Sequence, residues 1–262
     1  MNYVLVTGAC GGMGKACVKM LTENGYKVIA LDRIKCETEN VFSVVADITD
    51  EESIKTAFEK VQEITTELFA VVHLAGMYML DSLVEMETSS YKKIFDVNVI
   101  GAFVVNKTLR PMLKKGSRII IVTSELAPLD PLPFTGVYAV TKSALDKYAF
   151  SLQMELQLLD ISVSVLRSGA VETSMLGVST SALDAFCNNT KLYSCNAKCF
   201  KNIVNSVEAR SVKPEKLAKK LSSIISSRHP RFIYKLNRNP LLLLLNILPK
   251  PLQLKIIKII LK

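Results

Sequence analysis

A glycine-rich turn near the start of the chain constrains the fold more than any other feature of the sequence. The turn covers residues 7–14, between the apolar run 3–6 and a stretch of helical spacing. Its glycines include Gly8, Gly12 and Gly14. Glycine lets the backbone approach a pyrophosphate without an intervening Cβ, and a helix amino terminus offers free N–H groups and a partial positive charge. The order of strand, turn and helix therefore predicts a phosphate-binding turn, although its GxxxGxG spacing differs from the GxGxxG fingerprint and does not identify the ligand by itself.

A second apolar run, residues 27–31, follows the first helix and ends at Asp32 and Arg33. The two runs and the helix between them form a βαβ unit of about thirty residues. An acidic residue at the tip of the second strand accepts hydrogen bonds from the ribose hydroxyls of NAD and repels the additional phosphate of NADP. Asp32 therefore favours NAD, and Arg33 keeps NADP open as the alternative.

Apolar runs and segments of helical period alternate through the rest of the first two thirds of the chain. The predicted strands are 41–46, 70–76, 118–124 and 161–166, and the predicted helices are about 50–67, 91–109 and 143–159. Alternation without repeats or a low-complexity linker predicts an α/β fold, a single Rossmann-type doubly wound parallel sheet with helices on both faces. One such domain accounts for most of a chain of 262 residues.

Tyr138 and Lys142 are four residues apart on a predicted helix, so their side chains share one face. A tyrosine hydroxyl has a pKa of about 10 in water, and a nearby ammonium favours the phenolate, which fits the pair for acid–base chemistry. Ser124 ends the fifth strand and offers a hydroxyl to a substrate carbonyl. Asn98 interrupts an apolar helical stretch and needs polar partners if it is buried.

Taken in this order, the glycine turn and these polar residues resemble the short-chain dehydrogenase/reductase family, over residues 4 to about 173. The resemblance implies a catalytic tetrad of Asn98, Ser124, Tyr138 and Lys142. By the same resemblance, Tyr138 exchanges the proton and Lys142 binds the nicotinamide ribose. Ser124 positions the carbonyl, and Asn98 holds a water molecule in a proton relay.

The resemblance also implies a set of cofactor contacts. They are Thr7, Gly8, Gly12, Met13, Gly14, Asp32, Arg33, Asp47, Ile48, Ala75, Gly76, Tyr138, Lys142, Val171 and Thr173. Within this set, Asp47 contacts the adenine side and Thr173 holds the nicotinamide carboxamide.

The chain departs from the family pattern at two places. The family's Asn-Asn-Ala-Gly is replaced by residues 73–76, His-Leu-Ala-Gly, which alters the cofactor contacts expected there. The family's Pro-Gly after the sixth strand is replaced by Ser168-Gly169, so the turn loses the fixed φ of proline. Neither change touches the tetrad, and we interpret His73 as a structural histidine with a satisfied hydrogen bond.

Apolar side chains surround the predicted crevice at the carboxyl ends of the strands. They are Met77, Tyr78, Met79, Leu80, Leu126, Leu129, Leu132, Phe134, Met175 and Leu176. With a lid at about 174–210, they predict a hydrophobic substrate, a steroid, retinoid or similar lipid; ordinary packing is the alternative for each. The function predicted is NAD(P)(H)-dependent interconversion of a secondary alcohol and a ketone. The alternatives are a reductase for a small carbonyl compound and a nucleotide-binding sensor or scaffold without turnover.

Charge is distributed unevenly along the chain. Residues 191–262 hold 16 Lys and Arg but only 2 Asp and Glu, whereas residues 1–190 are net acidic. Such asymmetry indicates nucleic acid, a membrane surface or an acidic partner. Nucleic acid is not expected, because aromatic residues and arginines do not alternate with the lysines.

The predicted domain covers residues 1–240, and residues 241–262 form a basic amphipathic tail. The apolar run before Pro249 is too short to span a bilayer. In the last helix, lysines occupy one face (Lys255, Lys258, Lys262) and apolar residues another (Leu252, Ile256, Ile259, Ile260). Residues 249–262 therefore predict peripheral membrane association, or else a helix packed over the substrate pocket or in a dimer interface. The end of the chain, from a strand at 231–234 through the tail, also resembles the steroid- and retinol-oxidising branch of the family.

The six cysteines are scattered without a CxxC pair, and the chain has only two histidines. This pattern favours neither a zinc site nor a disulfide framework, so no metal is expected. The chain begins directly in a strand without a basic and apolar leader, which predicts a cytoplasmic protein. The family resemblance implies a dimer or a tetramer.

Overall fold

The computed structural model describes residues 2–208 and 210–262, and within that part it describes only the backbone of residues 174–180 and 206–208. The side chains of Met175 and Leu176, which the sequence places beside the crevice, lie outside the described residues. None of the described helices is long and apolar enough to cross a membrane.

A single parallel sheet forms the centre of the molecule. Its strands among the described residues are β1 (Tyr3–Thr7), β2 (Lys27–Asp32), β3 (Val41–Val45), β4 (Leu68–His73), β5 (Leu113–Ser124), β6 (Ser162–Ser168) and β7 (Ile233–Leu236). They are arranged in the order β3-β2-β1-β4-β5-β6-β7. The order reverses between β1 and β4, and a crevice opens at the carboxyl ends of strands at such a reversal. The predicted Rossmann-type fold is confirmed.

Helices cover both faces of the sheet. Those in the described part of the chain are α1 (Gly12–Glu23), α2 (Glu51–Ile64), α3 (Thr88–Phe95), α4 (Gly101–Leu109), α5 (Gly136–Leu156), α6 (Ser174–Asn189), α7 (Ser194–Glu208), α8 (Pro214–Ile225), α9 (Pro240–Ile247) and α10 (Lys250–Ile260). Asp50 caps the amino terminus of α2, its side chain accepting from the Glu52 N–H at 3.0 Å.

The side chains of β1 show how the core is divided. Successive residues of a strand point to opposite faces of the sheet. Leu5 packs in the cluster that includes α2, α4 and α5, whereas Val4 and Val6 pack with α1 and α8. All three are fully buried. This burial on both faces explains why the strand is a continuous apolar run.

Two predicted elements differ from the structure in a way that matters for the site. The predicted helix 91–109 is interrupted, because a π-helical segment, Asp96–Ile100, lies between α3 and α4. The predicted strand 70–76 ends at His73, so residues 74–76 are free to turn across the crevice. A π-helical segment inside an α-helix is frequently found at functional sites.

The predicted lid segment forms α6 and α7, which enclose a third apolar cluster with the end of the chain. Its buried members are Leu80, Phe134, Leu183, Phe186, Ala197, Phe200 and Leu261. Phe134 lies at the centre, its ring 4.6 Å from that of Phe186 and 5.3 Å from that of Phe200, centroid to centroid. Its backbone φ of +65° is unusual for an aromatic residue and marks a constrained loop beside the site.

Candidate active site

The glycine turn between β1 and α1 folds closely against the residues that follow β4. Gly8 has a φ of +67°, and a Cβ at this position would lie 2.6 Å from the backbone nitrogen of Ala75. A Cβ on Gly12 would lie 2.8 Å from the Cβ of Thr173. Both positions therefore require glycine, and the backbone is left open to a ligand. Thr7 lies behind the turn, fully buried, with its hydroxyl accepting from the Ala75 N–H at 3.3 Å.

A groove of 520 Å³ runs from this turn past the ends of β2 and β3. Asp32 stands at its edge, with Oδ2 accepting from the Cys10 N–H at 2.9 Å and Oδ1 from the Arg33 N–H at 2.7 Å. The predicted contacts Gly8, Gly12, Met13, Gly14, Asp32, Arg33, Asp47, Ile48, Ala75, Gly76 and Thr173 all line the groove. Cys10, Ile34, Thr49, Lys93 and Asp96 line it as well and were not predicted.

Asp47 is held at the end of β3 by its own turn. Its Oδ1 accepts from the Thr49 N–H at 2.9 Å and from the Thr49 hydroxyl at 2.7 Å. These hydrogen bonds lower the pKa of Asp47, as does the charge of Arg33. Asp47 is therefore an ionised acceptor in the groove at neutral pH. The side chain of the neighbouring Ile48 packs against Gly101 of α4.

Asn98 lies in the π-helical segment and is buried, with 2% of its surface exposed. Its Oδ1 accepts from the Met77 N–H at 2.8 Å, and its Nδ2 donates to the Met77 carbonyl and to the Thr141 hydroxyl, each at 3.0 Å. The hydrogen-bond partners that a buried asparagine requires are thus supplied by the loop after β4 and by helix α5. Asn98 fixes that loop next to the helix that carries Tyr138 and Lys142.

Tyr138 lies in the first turn of α5 and lines the same cavity as Ser124, at the end of β5. The ring of Tyr78 packs on the Tyr138 ring with a centroid separation of 4.8 Å. Burial and then the neighbouring Tyr78 raise the pKa of the Tyr138 hydroxyl, while the hydrogen bond with Ser124 lowers it. Because the raising effects dominate, Tyr138 is a neutral phenol that can donate a proton.

Lys142 lies one turn further along α5 and is buried, with 7% of its surface exposed. Its Nζ lies 5.7 Å from the centroid of the Tyr138 ring and donates to the Val122 carbonyl at 3.3 Å. Burial lowers the pKa of Lys142 to about 8, because the charged form loses its hydration. The predicted i, i+4 pair is therefore brought together on one face of the helix.

A second cavity, of 230 Å³, opens beside these side chains and shares Met13, Leu74, Gly76, Met77 and Thr173 with the groove described above. Ser124, Tyr138 and Lys142 lie on its wall. Most of the remaining lining is apolar and comes from well-separated parts of the chain: Tyr78, Val122, Leu126, Leu132, Val171, Phe200, Ile203, Val204 and Leu242. A group bound in the cavity would meet the end of the groove and the hydroxyl pair together.

The short chain dehydrogenase family model matches residues 2–184. The chain belongs to this family. Mouse (Mus musculus) estradiol 17-beta-dehydrogenase 2 is 33% identical over 190 residues, which span 66% of this chain and 49% of the mouse enzyme. The 3-amino-tetrahydro-pyrrolizinone reductase of Xenorhabdus hominickii is 30% identical over 177 residues, 65% of this chain and 62% of that enzyme. The matches thus cover about half to two thirds of these curated relatives.

The fold is shared with solved structures of the family. The 3-ketoacyl-(acyl-carrier-protein) reductase of Brucella melitensis, complexed with NADH, superposes with a TM-score of 0.73 at 22% identity. The superposition covers 89% of this chain and 96% of that chain. The short-chain dehydrogenase fold binds NAD(P), and the narrow glycine turn and the groove beside Asp32 are shaped for such a nucleotide.

The family's Asn-Asn-Ala-Gly segment is changed to His73-Leu-Ala-Gly in this short-chain dehydrogenase, and His73 has a structural role. Its Nε2 is 2.8 Å from the Asn106 Oδ1, and Asn106 in turn donates to the Tyr148 hydroxyl at 3.1 Å. Burial lowers the pKa of His73 to about 4, so the ring is neutral. The interpretation of His73 as a satisfied buried histidine is confirmed.

Glu125 is one of the polar residues of this dehydrogenase's cavity that sequence reasoning missed, with Thr123, Thr135 and Ser168. It follows Ser124, is buried, and its Oε2 accepts from the Asn239 N–H at 2.5 Å. Burial raises its pKa, whereas the Asn239 hydrogen bond and the charge of Arg238 lower it. The contact links the active-site strand to the start of α9. Because Glu125 and Asn239 are 114 residues apart in sequence, no local sequence pattern predicts this contact.

Proposed function

We propose that this short-chain dehydrogenase uses NAD(H) to interconvert a secondary alcohol and a ketone on a hydrophobic substrate, a steroid, retinoid or similar lipid. The observation that carries the proposal is the position of Ser124 and Tyr138 on the wall of one apolar cavity, where that cavity joins the nucleotide groove. The family membership supports the reaction class, and the cavity lining supports the substrate class.

The chain offers a partner for each part of a nicotinamide nucleotide. The glycine turn suits the pyrophosphate, Asp32 the adenosine ribose, and Lys142 and Thr173 the nicotinamide end of the groove. The bound nicotinamide supplies the hydride. A preference for NAD over NADP rests on Asp32, because a fixed carboxylate repels a phosphate on the ribose. Arg33 is exposed beside it and lessens that preference.

The hydroxyls of Ser124 and Tyr138 together would hold a carbonyl oxygen in the cavity. Tyr138 remains protonated at neutral pH because burial raises its pKa, so it is suited to protonate the developing alkoxide during reduction. The Lys142 ammonium, 5.7 Å from the Tyr138 ring, stabilises the phenolate that is left behind. Asn98 acts on this arrangement by fixing Met77 and Thr141 rather than by touching the substrate.

A reductase for a small carbonyl compound is the second candidate, and the size of the cavity favours it. At 230 Å³ the cavity is smaller than the roughly 300–1,000 Å³ of pockets for drug-sized ligands. One relative is named as a 3-amino-tetrahydro-pyrrolizinone reductase, and another as an estradiol 17-beta-dehydrogenase. The third possibility, a nucleotide sensor without turnover, is opposed by the complete set of Ser124, Tyr138 and Lys142.

A cofactor-by-substrate panel tests these proposals. NADH and NADPH are each supplied with ketosteroids, retinoids and small ketones, and oxidation of the reduced cofactor is followed by absorbance. The proposal expects turnover of an apolar ketone with NADH. Turnover of small ketones alone selects the second candidate. Tight NADH binding without turnover of any carbonyl compound selects the sensor.

Assembly and location stay predictions from the sequence. We expect a dimer or a tetramer in the cytoplasm. Helices α4 and α5 carry the half-exposed side chains Phe103, Phe150 and Met154, which a second copy would cover. Light scattering of the purified protein measures the assembly.

A further inference from the structure

The outward face of α9 carries large apolar side chains and no charge. Leu241, Leu244 and Ile247 are 62%, 60% and 79% exposed. The inward face makes contacts within the chain: Leu242 lines the substrate cavity, and the Asn246 Oδ1 accepts from the Asp130 N–H at 2.6 Å. A helix that faces water normally has charged or polar residues on its outer side. The exposed leucines of α9 are therefore not explained by packing within the chain.

Helix α10 uses one face to pack and leaves a different apolar face exposed. Ile257 and Leu261 contact the cluster under the lid. The apolar stripe seen in the sequence is another one. Of its members, Leu252, Ile259 and Ile260 are 43%, 65% and 53% exposed, and Ile256 is half-buried. Packing against the cluster under the lid thus accounts for the first face, and most of the stripe remains exposed. We call the exposed apolar side chains of α9 and α10 the tail surface.

The charges beside the tail surface favour a lipid membrane as its partner. Lys255, Lys258 and Lys262 are exposed, and none of them forms an ion pair with a described residue. Apolar side chains flanked by lysines are typical of a helix that lies in the interface of an anionic membrane. A two-fold contact with a second copy would bring these lysines close to their own copies, and like charges repel.

We propose that α9 and α10 dock this protein on the surface of an anionic phospholipid membrane through the tail surface. The docked helices lie on the membrane and do not cross it. The same α9 forms part of the cavity wall through Leu242, and the Asn239 N–H at its start donates to Glu125, next to Ser124. Docking would therefore place a wall of the substrate cavity at the lipid surface. An apolar substrate could then enter the cavity directly from the membrane. This consequence rests on the proposed function, whereas the docking itself does not.

Vesicle co-sedimentation of the full chain tests the docking. We expect the protein to sediment with vesicles of equimolar phosphatidylglycerol and phosphatidylcholine. Sedimentation should be much weaker with pure phosphatidylcholine or in high salt, because salt screens the attraction between lysines and anionic lipids. The assay needs neither cofactor nor substrate, so a negative result on docking can be distinguished from a negative result on the proposed function.

Two double variants separate the apolar from the electrostatic part. Leu244→Glu with Ile247→Glu should lower partitioning at least about tenfold on both kinds of vesicle. Lys255→Gln with Lys258→Gln should lower it about tenfold or more only on anionic vesicles. The matched control is Leu158→Glu, at a side chain that is 82% exposed and outside the tail, and it should bind as the unchanged protein does. Circular dichroism and NADH binding verify that each variant is folded.

Three results would overturn the proposal. The unchanged protein could stay in the supernatant with both vesicles, or the Leu244→Glu and Ile247→Glu variant could sediment as strongly as the parent. Light scattering could also show that this variant breaks a dimer that does not bind vesicles, which would assign the tail surface to a second copy. Because the salt titration uses the unchanged chain, the test holds even if a variant fails to fold.

Discussion

The Oδ2 atom of Asp32 accepts a hydrogen bond of 2.9 Å from the backbone N–H of Cys10. This contact joins the end of β2 to the glycine turn between β1 and α1. The second carboxylate oxygen is occupied by the Arg33 N–H at 2.7 Å. The carboxylate consequently keeps a fixed place at the edge of the groove.

Replacing Asp32 by serine should shift cofactor preference from NADH towards NADPH. The change removes the negative charge that repels a ribose phosphate and leaves Arg33 to attract it. A hydrogen bond to a charged group contributes about 1.5–3 kcal/mol, so the ratio of kcat/KM for NADH to that for NADPH should fall about 10- to 100-fold. Glu39→Ser, at an exposed position in the loop that follows β2, is the matched control. An unchanged ratio in the Asp32 variant would assign cofactor choice to other residues.

Replacing Tyr138 by phenylalanine should abolish most turnover while NADH binding persists. The ring and its contact with Tyr78 remain, and only the proton donor is lost. General acid catalysis contributes about 10²–10⁴-fold, and kcat should fall by that factor. Stopped-flow measurement of hydride transfer gives the rate. Tyr78→Phe is the control, because it keeps the ring 4.8 Å from Tyr138 and should retain activity within a few-fold. Equal losses in the two variants would contradict the assigned role.

The sequence predicted the parts of the site that depend on local patterns. The strands are continuous apolar runs because both faces of the sheet are covered, and the spacing of Tyr138 and Lys142 places them on one helix face whatever the tertiary structure. Long-range contacts were missed. The bond between Glu125 and Asn239 joins residues 114 positions apart, and a π-helical segment has no simple signature in residue type. Helix α8 was also missed, although Pro214 and its apolar period would have revealed it.

The last helix shows a different limit of sequence reasoning. Hydrophobic periodicity identified an apolar stripe and a lysine face correctly. It did not show which apolar side chains pack against the rest of the protein. In the structure, Ile257 and Leu261 contact the cluster under the lid, whereas Ile259 and Ile260 are exposed. A helix with more apolar surface than one partner can bury has no single inward face that the pattern could define.

Replacing Lys142 by methionine should stabilise the fold and abolish activity. Burial lowers the pKa of Lys142 in the folded state to about 8, below its ordinary 10.5. The unfolded chain therefore binds more protons between about pH 8 and 10.5, and stability from this group rises with pH across that window. Below this pH window, burying the ammonium lowers the free energy of unfolding of the parent by up to about 3 kcal/mol. The methionine variant avoids this cost but loses the hydrogen bond to the Val122 carbonyl. Its free energy of unfolding at pH 7 should therefore be about 1–3 kcal/mol higher than that of the parent.

Urea denaturation at pH 7 and at pH 10 measures this difference. The gain of the methionine variant over the parent should be largest at pH 7 and should shrink at pH 10, where the parent loses the buried charge. A variant that is less stable than the parent at pH 7 would show that Lys142 contributes more through its contacts than it costs by desolvation.

Replacing Asp146 by alanine should destabilise the helix that carries the catalytic pair. Asp146 lies one turn after Lys142 on α5, and its carboxylate accepts from Arg167 Nε at 2.9 Å and from the terminal guanidinium nitrogen at 2.7 Å. Both side chains are largely buried, so alanine leaves an unpaired guanidinium, and the free energy of unfolding should fall by about 3–5 kcal/mol. The double variant Asp146→Leu with Arg167→Met removes both charges, so its free energy of unfolding, measured by urea denaturation, should fall less than that of the alanine variant. If the free energy of unfolding fell equally in both variants, side-chain packing rather than charge pairing would hold α5 against β6.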